Sequence, residues 1–362
     1  MHQNAHSWIM ERMFRLKISK KDFGKGFHLI TLENQQGMSL AVSDLGARIV
    51  SLSVPVAGSR RELVLGFDSA EEYLAKDPFI GASIGRTAGR IENGTFELNG
   101  QTIQVDVDEV THHSLHGGQP GFESKKWTYT IIEGHNEASV LFNLISPTGE
   151  HGFPGTLDME VRYTLTADNI WRITTRGISD QDTLFNPTNH VYFNLTGECT
   201  QAIDQHQLWL NSSQFAELRN DTIPTGQKLP VAGTAFDFTK KKALAELFAS
   251  DFDQKQLADG MDHPFFLNQS DLAIPAATLT SPDEKVQLTV KTDASSVVLF
   301  TANFGDNTPE MHGKKMVNHG GITFETQTAP GAEQFPSFGS IKLTAYQPFT
   351  TITEFIIEGN EE

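Results

Sequence analysis

The chain has a single cysteine, Cys199, which excludes an intrachain disulfide and makes a reducing compartment the simpler expectation. A lone cysteine of this kind reads as inert rather than catalytic. Positive charge is also scarce: 28 Lys and Arg stand against 45 Asp and Glu, a formal net charge of −17. Such a balance repels nucleic-acid phosphate and anionic lipid unless a strong basic patch intervenes. The basic runs, Lys240 to Lys242 and Lys314-Lys315, are short and read as solvated surface. No nucleic-acid or membrane partner is expected, and a neutral ligand fits the charge better than an anionic one. Long apolar runs are missing too. No stretch approaches the roughly 18 apolar residues of a membrane span, and Met1 to Lys21 holds no apolar core of signal-peptide length. The expectation is a cytoplasmic protein, with residues 1–20 a short leader, poorly ordered at its start around His2, Gln3, Asn4 and His6.

Sustained helical periodicity is the remaining absence. Helical pattern is confined to Ser69 to Ala75, with Ser69 placed to cap, and to Lys241 to Ala249. A parallel sheet of βαβ units needs a helix after most strands, so that class is excluded. Alternation of period two dominates instead. Leu157, Met159, Val161, Tyr163 and Leu165 alternate with polar residues, as do Val286, Leu288 and Val290, while Thr351, Thr353 and Phe355 interleave with Ile352, Glu354 and Ile356. Turn signals separate such runs, among them Glu92-Asn93-Gly94, Leu98-Asn99-Gly100, Pro147-Thr148-Gly149, Phe153-Pro154-Gly155 and Ala329-Pro330-Gly331. The 30 glycines and 25 phenylalanines weigh the same way. No repeat, low-complexity tract or Pro/Ser linker marks a boundary. The fold class is therefore all-β: one large antiparallel β-sandwich domain over residues 21–358 with only short helices.

Four polar clusters stand out. Thr188-Asn189-His190-Val191-Tyr192-Phe193-Asn194-Leu195 reads as a strand whose Asn189, Val191, Phe193 and Leu195 share one face and whose His190, Tyr192 and Asn194 share the other. Gly321 to Gln327 repeats the design, with Ile322 and Phe324 opposite Thr323, Glu325 and Gln327. If the two polar faces meet, they bring an acid and a base together. Taken alone, His190 reads at least as well as a core histidine satisfied by Tyr192 or a backbone carbonyl, and Glu325 as a strand carboxylate facing solvent. Gly85-Arg86-Thr87-Ala88-Gly89-Arg90 places two guanidinium groups four residues apart, on one side of the chain, where they offer donors either to hydroxyl oxygens or to surface carboxylates. His112-His113-Ser114-Leu115-His116-Gly117-Gly118 raises zinc, but the spacing and the glycines favour a turn, with His116 a hydrogen-bonding loop histidine and His112 and His113 in an exposed turn. No metal is expected. Asp262-His263 completes the set, Asp262 reading equally as a turn cap beside Gly260 and Pro264.

In order and spacing these segments resemble the aldose 1-epimerase family, the galactose mutarotases, over about residues 25 to 357. The resemblance rests on Gly85 to Ile91, Asn93-Gly94-Thr95-Phe96, Ser114 to Gly118, Gly152-Phe153-Pro154-Gly155, Asn189 to Leu195, Pro230 to Phe238, Asp262-His263 and Gly321 to Gln327. It implies the family's galactose mutarotase-like supersandwich, and it implies an isomerase that interconverts the anomers of free aldohexoses such as galactose and glucose without a cofactor. By the same resemblance Glu325 is the general base and His190 the general acid, Arg90, His116 and Asp262 hold the sugar, and Arg86 helps. A related epimerase for a hexose phosphate or a disaccharide, and a non-catalytic sugar-binding module, are the alternatives; monomer and homodimer both remain open. The chain departs from the family pattern at His113 and Gly89, where Asn is common, at Val298, where some members have Gln, and at Ala329 to Ala332. These departures leave the acid and base in place and remove hydroxyl contacts.

Overall fold

A segment with every second residue apolar can bury one face only by pairing into a sheet, and the alternating runs do so. In the computed structural model, which describes residues 16–359, the largest sheet among the described residues has nine strands. Their order is Thr128–Glu133, Glu137–Ser146, Leu157–Thr166, Ile170–Ser179, Phe349–Gly359, Val286–Thr292, Ala277–Thr280, Gln207–Leu210 and Lys242–Ala243. Neighbouring strands run antiparallel, in registers such as Val161↔Thr175 and Thr175↔Thr351. Leu157, Met159, Val161, Tyr163 and Leu165 point inward and are buried, while Asp158 and Arg162 between them are exposed.

Two five-stranded sheets complete the frame. One runs in sequence order through Lys17–Gly24, Phe27–Glu33, Ser39–Ser43, Arg48–Val56 and Ser59–Glu62. Of the expected leader, residues 1–15 lie outside the described residues, and 17–20 already belong to the first strand of this sheet. The other sheet has the order Pro224–Pro230, Ser212–Leu218, Asp262–Leu267, Ser296–Phe300 and Glu325–Gln327.

The two segments singled out by their polar faces are anchored from below by aromatic packing. Trp171 and Phe355 of the large sheet stack with centroids 4.8 Å apart, Phe355 lies 5.1 Å from Phe193, and Phe193 lies 6.0 Å from Phe324. Val191, Leu195 and Ile322 join the same buried cluster. The apolar halves of both segments thus share one core, which turns their other halves toward a common side.

The continuous strand expected from Thr188 to Leu195 is broken. Thr188–Asn189 pairs with Ser83–Ile84, and Tyr192–Phe193 pairs with Ile322–Thr323. The switch of partner falls at His190-Val191, and both faces are enclosed, so alternation survives while the simple division into core and open face does not. Helices are short: Ala70–Ala75, capped by Ser69 Oγ accepting from Glu72 N–H at 3.4 Å, then Ala245–Phe248 and Asp253–Ala258. Within the helical run expected at Lys241 to Ala249, Lys242–Ala243 instead adds a strand to the large sheet's edge. No helix among the described residues is long and apolar enough to cross a membrane.

Truncating Phe193, in contact with Trp171, Phe324 and Phe355, leaves a cavity that three large rings cannot close. Phe193→Ala is expected to lower unfolding free energy by about 3–5 kcal/mol in denaturant titration, with an unchanged m-value.

Candidate active site

One face of the second five-stranded sheet forms the floor of a pocket. Side chains directly opposite each other on neighbouring strands share a face. Pro264 pairs with Val298 and Val298 with Glu325; Asp262 pairs with Phe300 and Ser296 with Gln327. Asp262, Pro264, Val298, Phe300, Glu325 and Gln327 all line the pocket. The intervening Phe265, Val297 and Leu299 face the main core, so period-two alternation accounts for both surfaces. Thr323 Oγ1 donates to Glu325 Oε1 at 3.1 Å and fixes the carboxylate.

His190 enters beside this floor on a rigid ledge. Its N–H donates to Ala82 O and its carbonyl accepts from Gly81 N–H, each at 2.9 Å. Gly81 has φ +73°, and a Cβ there would lie 2.1 Å from Ile49 O, so this contact requires glycine. Beneath it, Asn189 Nδ2 donates to Tyr163 Oη at 2.7 Å, and Tyr163 Oη donates to Ala47 O at 2.6 Å. His190 Nε2 then stands 3.5 Å from Glu325 Oε1, while Nδ1 is buried without a partner. Nε2 is therefore the ring nitrogen that faces the carboxylate and is open to the pocket.

The third wall comes from two loops. Arg90 pairs with Leu115 in a two-residue ladder, and His116 N–H donates to Gly89 O at 3.0 Å. His116 adopts φ +52° and is followed by Gly117, where a Cβ would sit 2.4 Å from Gly85 O. Gly89 N–H donates to His116 Nδ1 at 3.3 Å, so Nδ1 is unprotonated and Nε2–H is the donor left for a ligand. Arg90 Nη1 lies 3.8 Å from Asp262 Oδ2, a loose pair that leaves both groups free to bind other partners. Phe79 closes this side, its ring 4.9 Å from His116 and 6.3 Å from His190.

Electrostatically the pocket is dominated by loss of water. Burial, reinforced by the charge of Asp262, pushes the Glu325 carboxyl up to about 8, against the Thr323 hydrogen bond and Arg90. Burial pulls His190 below its ordinary value, opposed by the charges of Asp77 and Asp262. Burial also holds His116 well below the usual imidazole value, with His190 and Arg90 acting in the same direction.

Five of the six residues nominated from sequence meet in this pocket: Arg90, His116, His190, Asp262 and Glu325. Arg86 does not. Its guanidinium is buried and donates to Pro154 O at 2.7 Å, to Ser146 O and Pro147 O at 3.0 Å each, and to Ser146 Oγ at 3.0 Å. The reading of two guanidinium groups on one side fails because the backbone between them is neither helix nor regular strand. His113, expected in an exposed turn, is buried, and its Nδ1 accepts from Asn93 N–H at 3.1 Å. Asn194 turns away to the carbonyls of Glu198, Gln201 and Gly320. Sequence reasoning missed Asp77, Phe79 and Phe304 in the lining. Phe300 was within reach, because it alternates with Val298 on the same strand. Among the described residues, no group of three or more His, Cys, Asp or Glu is placed to hold a metal ion.

Residues 28–355 match the family model described as Aldose 1-epimerase. The chain is 37% identical over 316 residues to an aldose 1-epimerase of Haemophilus influenzae, covering 87% of this chain and 90% of that protein. It is 32% identical to a maltose epimerase of Levilactobacillus brevis, covering 88% and 91% of the two chains. A solved structure of galactose 1-epimerase from Lactobacillus acidophilus superposes with a TM-score of 0.86 at 31% identity, covering 95% of this chain and 99% of that one.

The contrasting surroundings of the two arginines have a measurable consequence. Arg86→Met strands several buried carbonyls and is expected to cost on the order of 3 kcal/mol of unfolding free energy, whereas Arg90→Met, half-exposed and loosely paired, stays within about 1 kcal/mol of the parent. Denaturant melts of the two variants side by side check this.

Proposed function

The chain belongs to the aldose 1-epimerase family, and from that premise we propose that it interconverts the α and β anomers of free aldohexoses such as galactose and glucose, with Glu325 as general base and His190 as general acid. The observation that carries this reading is the 3.5 Å approach of His190 Nε2 to Glu325 Oε1 at a pocket that also holds Arg90, His116 and Asp262. Two groups so close can address O1 and O5 of one sugar, since both oxygens are bonded to C1.

In the forward step Glu325 takes the proton of the anomeric hydroxyl. The freed electron pair forms the C1–O1 double bond, the C1–O5 bond breaks toward O5, and His190 Nε2–H protonates O5. Rotation about C1–C2 presents the other face of the aldehyde. Reclosure reverses the roles: O5 attacks C1, its proton returns to His190, and O1 recovers a proton from Glu325. No electron leaves the sugar, so the step needs no redox partner. Arg90 and the Nε2–H of His116 donate to ring hydroxyls while Asp262 accepts, which positions the ring.

Burial tunes the pair for this task. A carboxylate whose conjugate acid sits near 8 is a stronger base than an exposed glutamate, and an imidazolium pulled below its ordinary value is a stronger acid. The zwitterion that starts ring opening and the neutral pair that ends it carry the same net charge, and burial favours the neutral one. Proton transfer in the forward direction therefore runs downhill within the pair. Three carboxylates, Asp77, Asp262 and Glu325, face one arginine in the pocket, which disfavours an anionic hexose phosphate.

Polarimetry of freshly dissolved α-glucose and α-galactose tests the reading, with a relaxation rate proportional to protein as the expected result. Glu325→Gln and His190→Asn are each expected to lose about 10²- to 10⁴-fold; full activity in either variant sinks the assignment.

The reactive pair must hold one proton. As pH rises through about 8 that proton is lost and no acid remains, so kcat/KM is expected to fall tenfold per unit above that point. On the other side, protonation of both groups removes the base, and because His190 is pulled down this acid limb lies below the ordinary imidazole range. A profile of kcat/KM corrected for spontaneous mutarotation reads both limbs.

A further inference from the structure

Three residues share the polar face of the His190 segment, and two of them are accounted for: His190 faces Glu325, and Asn194 turns away to backbone carbonyls. Tyr192 remains. It pairs with Thr323, whose hydroxyl holds the Glu325 carboxylate, so it stands one step along the shared face from the His190–Glu325 pair. Its ring packs 5.1 Å from that of His190, tilted by 34°, and lies 6.0 Å from Phe300, edge to face, and 6.1 Å from Phe304. All four of these residues line the pocket.

A buried tyrosine hydroxyl ordinarily finds a partner inside the protein. The other two buried tyrosines do so: Tyr73 Oη accepts from Phe67 N–H at 3.1 Å, and Tyr163 Oη bonds to Ala47 O, Asn189 Nδ2 and Ser83 Oγ. Tyr192, only 2% exposed, is the exception. Its carbonyl accepts from Leu65 N–H at 2.9 Å, but among the described residues its hydroxyl has no hydrogen-bond partner. Nor is that oxygen sealed away from solvent, as the unpaired Nδ1 of His190 is. The space onto which it opens is the pocket that Tyr192 lines. Burial, reinforced by the charges of Asp77, Glu325 and Asp262, holds the phenol well above its ordinary value, so near neutral pH it keeps its proton and is a donor.

With Glu325 and His190 engaged at O1 and O5, a further donor on the same face meets an oxygen borne by another ring carbon. Resting on the mutarotase reading above, we infer that Tyr192 is a substrate-binding residue whose hydroxyl donates to one non-anomeric hydroxyl of the bound pyranose, making in the complex the hydrogen bond that the free protein leaves unmade. A non-anomeric hydroxyl keeps its charge while the ring opens, so the contact is equally strong before and during the reaction and acts on KM rather than on kcat.

Tyr192→Phe removes the oxygen and keeps the ring against His190, Phe300 and Phe304. With glucose and galactose it is expected to raise KM by roughly 3- to 15-fold, the effect of one hydrogen bond, with kcat within about twofold of the wild type. Polarimetry with 2-, 3-, 4- and 6-deoxyglucose then identifies the sugar partner. For one of the four, the wild type is expected to show a similar loss and the variant to match the wild type within about twofold, because the partner is already gone. The denaturant midpoint is expected to stay level or rise, since no bond within the free protein is lost. Unchanged KM for the parent sugars, an equal loss across glucose and all four deoxy sugars, or a lowered midpoint overturns the proposal: the second marks a general disturbance of His190, the third a structural bond. A wild type that accelerates no aldose overturns the functional reading instead, a result distinguishable from an active enzyme in which Tyr192→Phe changes nothing.

Discussion

The withdrawal of water from a carboxylate and an imidazole held 3.5 Å apart is the constraint on which the rest of the structure depends. In bulk solvent the two would exchange a proton with little consequence, since each would be fully hydrated in either state. Buried together, they have opposite pKa shifts, the carboxyl upward and the imidazole downward, so the pair prefers to be neutral. That preference is an obstacle to storing a zwitterion and an aid to using one. On the mechanism we propose, a sugar whose O1 and O5 lie between the two groups supplies the path by which the zwitterion collapses.

The architecture achieves this by joining two unlike supports. Glu325 sits on a regular sheet, where Val298 is its cross-strand neighbour, the register sets its direction and the Thr323 hydroxyl holds its carboxylate. His190 sits where the chain changes partner, between the pairings of Thr188–Asn189 and Tyr192–Phe193, and no ladder fixes it. Its orientation comes from two backbone hydrogen bonds to Gly81 and Ala82 and from the Asn189–Tyr163 contact beneath. The aromatic cluster of Trp171, Phe193, Phe324 and Phe355 then couples the supports, since one core underlies both segments. Displacing either backbone by an ångström would open the 3.5 Å distance, and on the proposed mechanism the cost in catalysis would exceed the cost in stability.

How much of this was legible in the sequence follows from which physics operates locally. Period two is a local rule, so three strands of the large sheet, Leu157–Thr166, Val286–Thr292 and Phe349–Gly359, and the face shared by Thr323, Glu325 and Gln327 were readable. The meeting of His190 with Glu325 is not local, and neither residue read by itself as more than a core histidine or a surface acid; the family's order of motifs brought them together. Arg86 was misplaced because spacing fixes direction only in regular backbone, and Gly85 to Gly89 is irregular. Asp77 and Phe79 were missed for a related reason: an Asp-Pro pair after a short helix reads as an ordinary turn, and its position over His190 is set by Arg48 from another sheet.

The two buried arginines explain how irregular segments can wall a dry site at all. A loop running beside a pocket exposes carbonyls that no ladder satisfies, and leaving them unpaired out of reach of water costs about 1–3 kcal/mol each. Arg48 gives donors to Leu45, Pro78, Ile80 and Glu123, and Arg86 to Ser146, Pro147 and Pro154, so each guanidinium holds several turns of backbone from one point. Burial pulls both side chains down to about 10, which still leaves them charged near neutral pH and keeps every N–H a donor. Lysine, a compact ammonium with three donors on a flexible stem, lacks the planar fork that reaches carbonyls in several directions. The pairing of Arg86 with Arg90 in sequence therefore divides one residue type between two tasks: the first supports the loops that shape the pocket, and the second, four residues later, faces what the pocket holds.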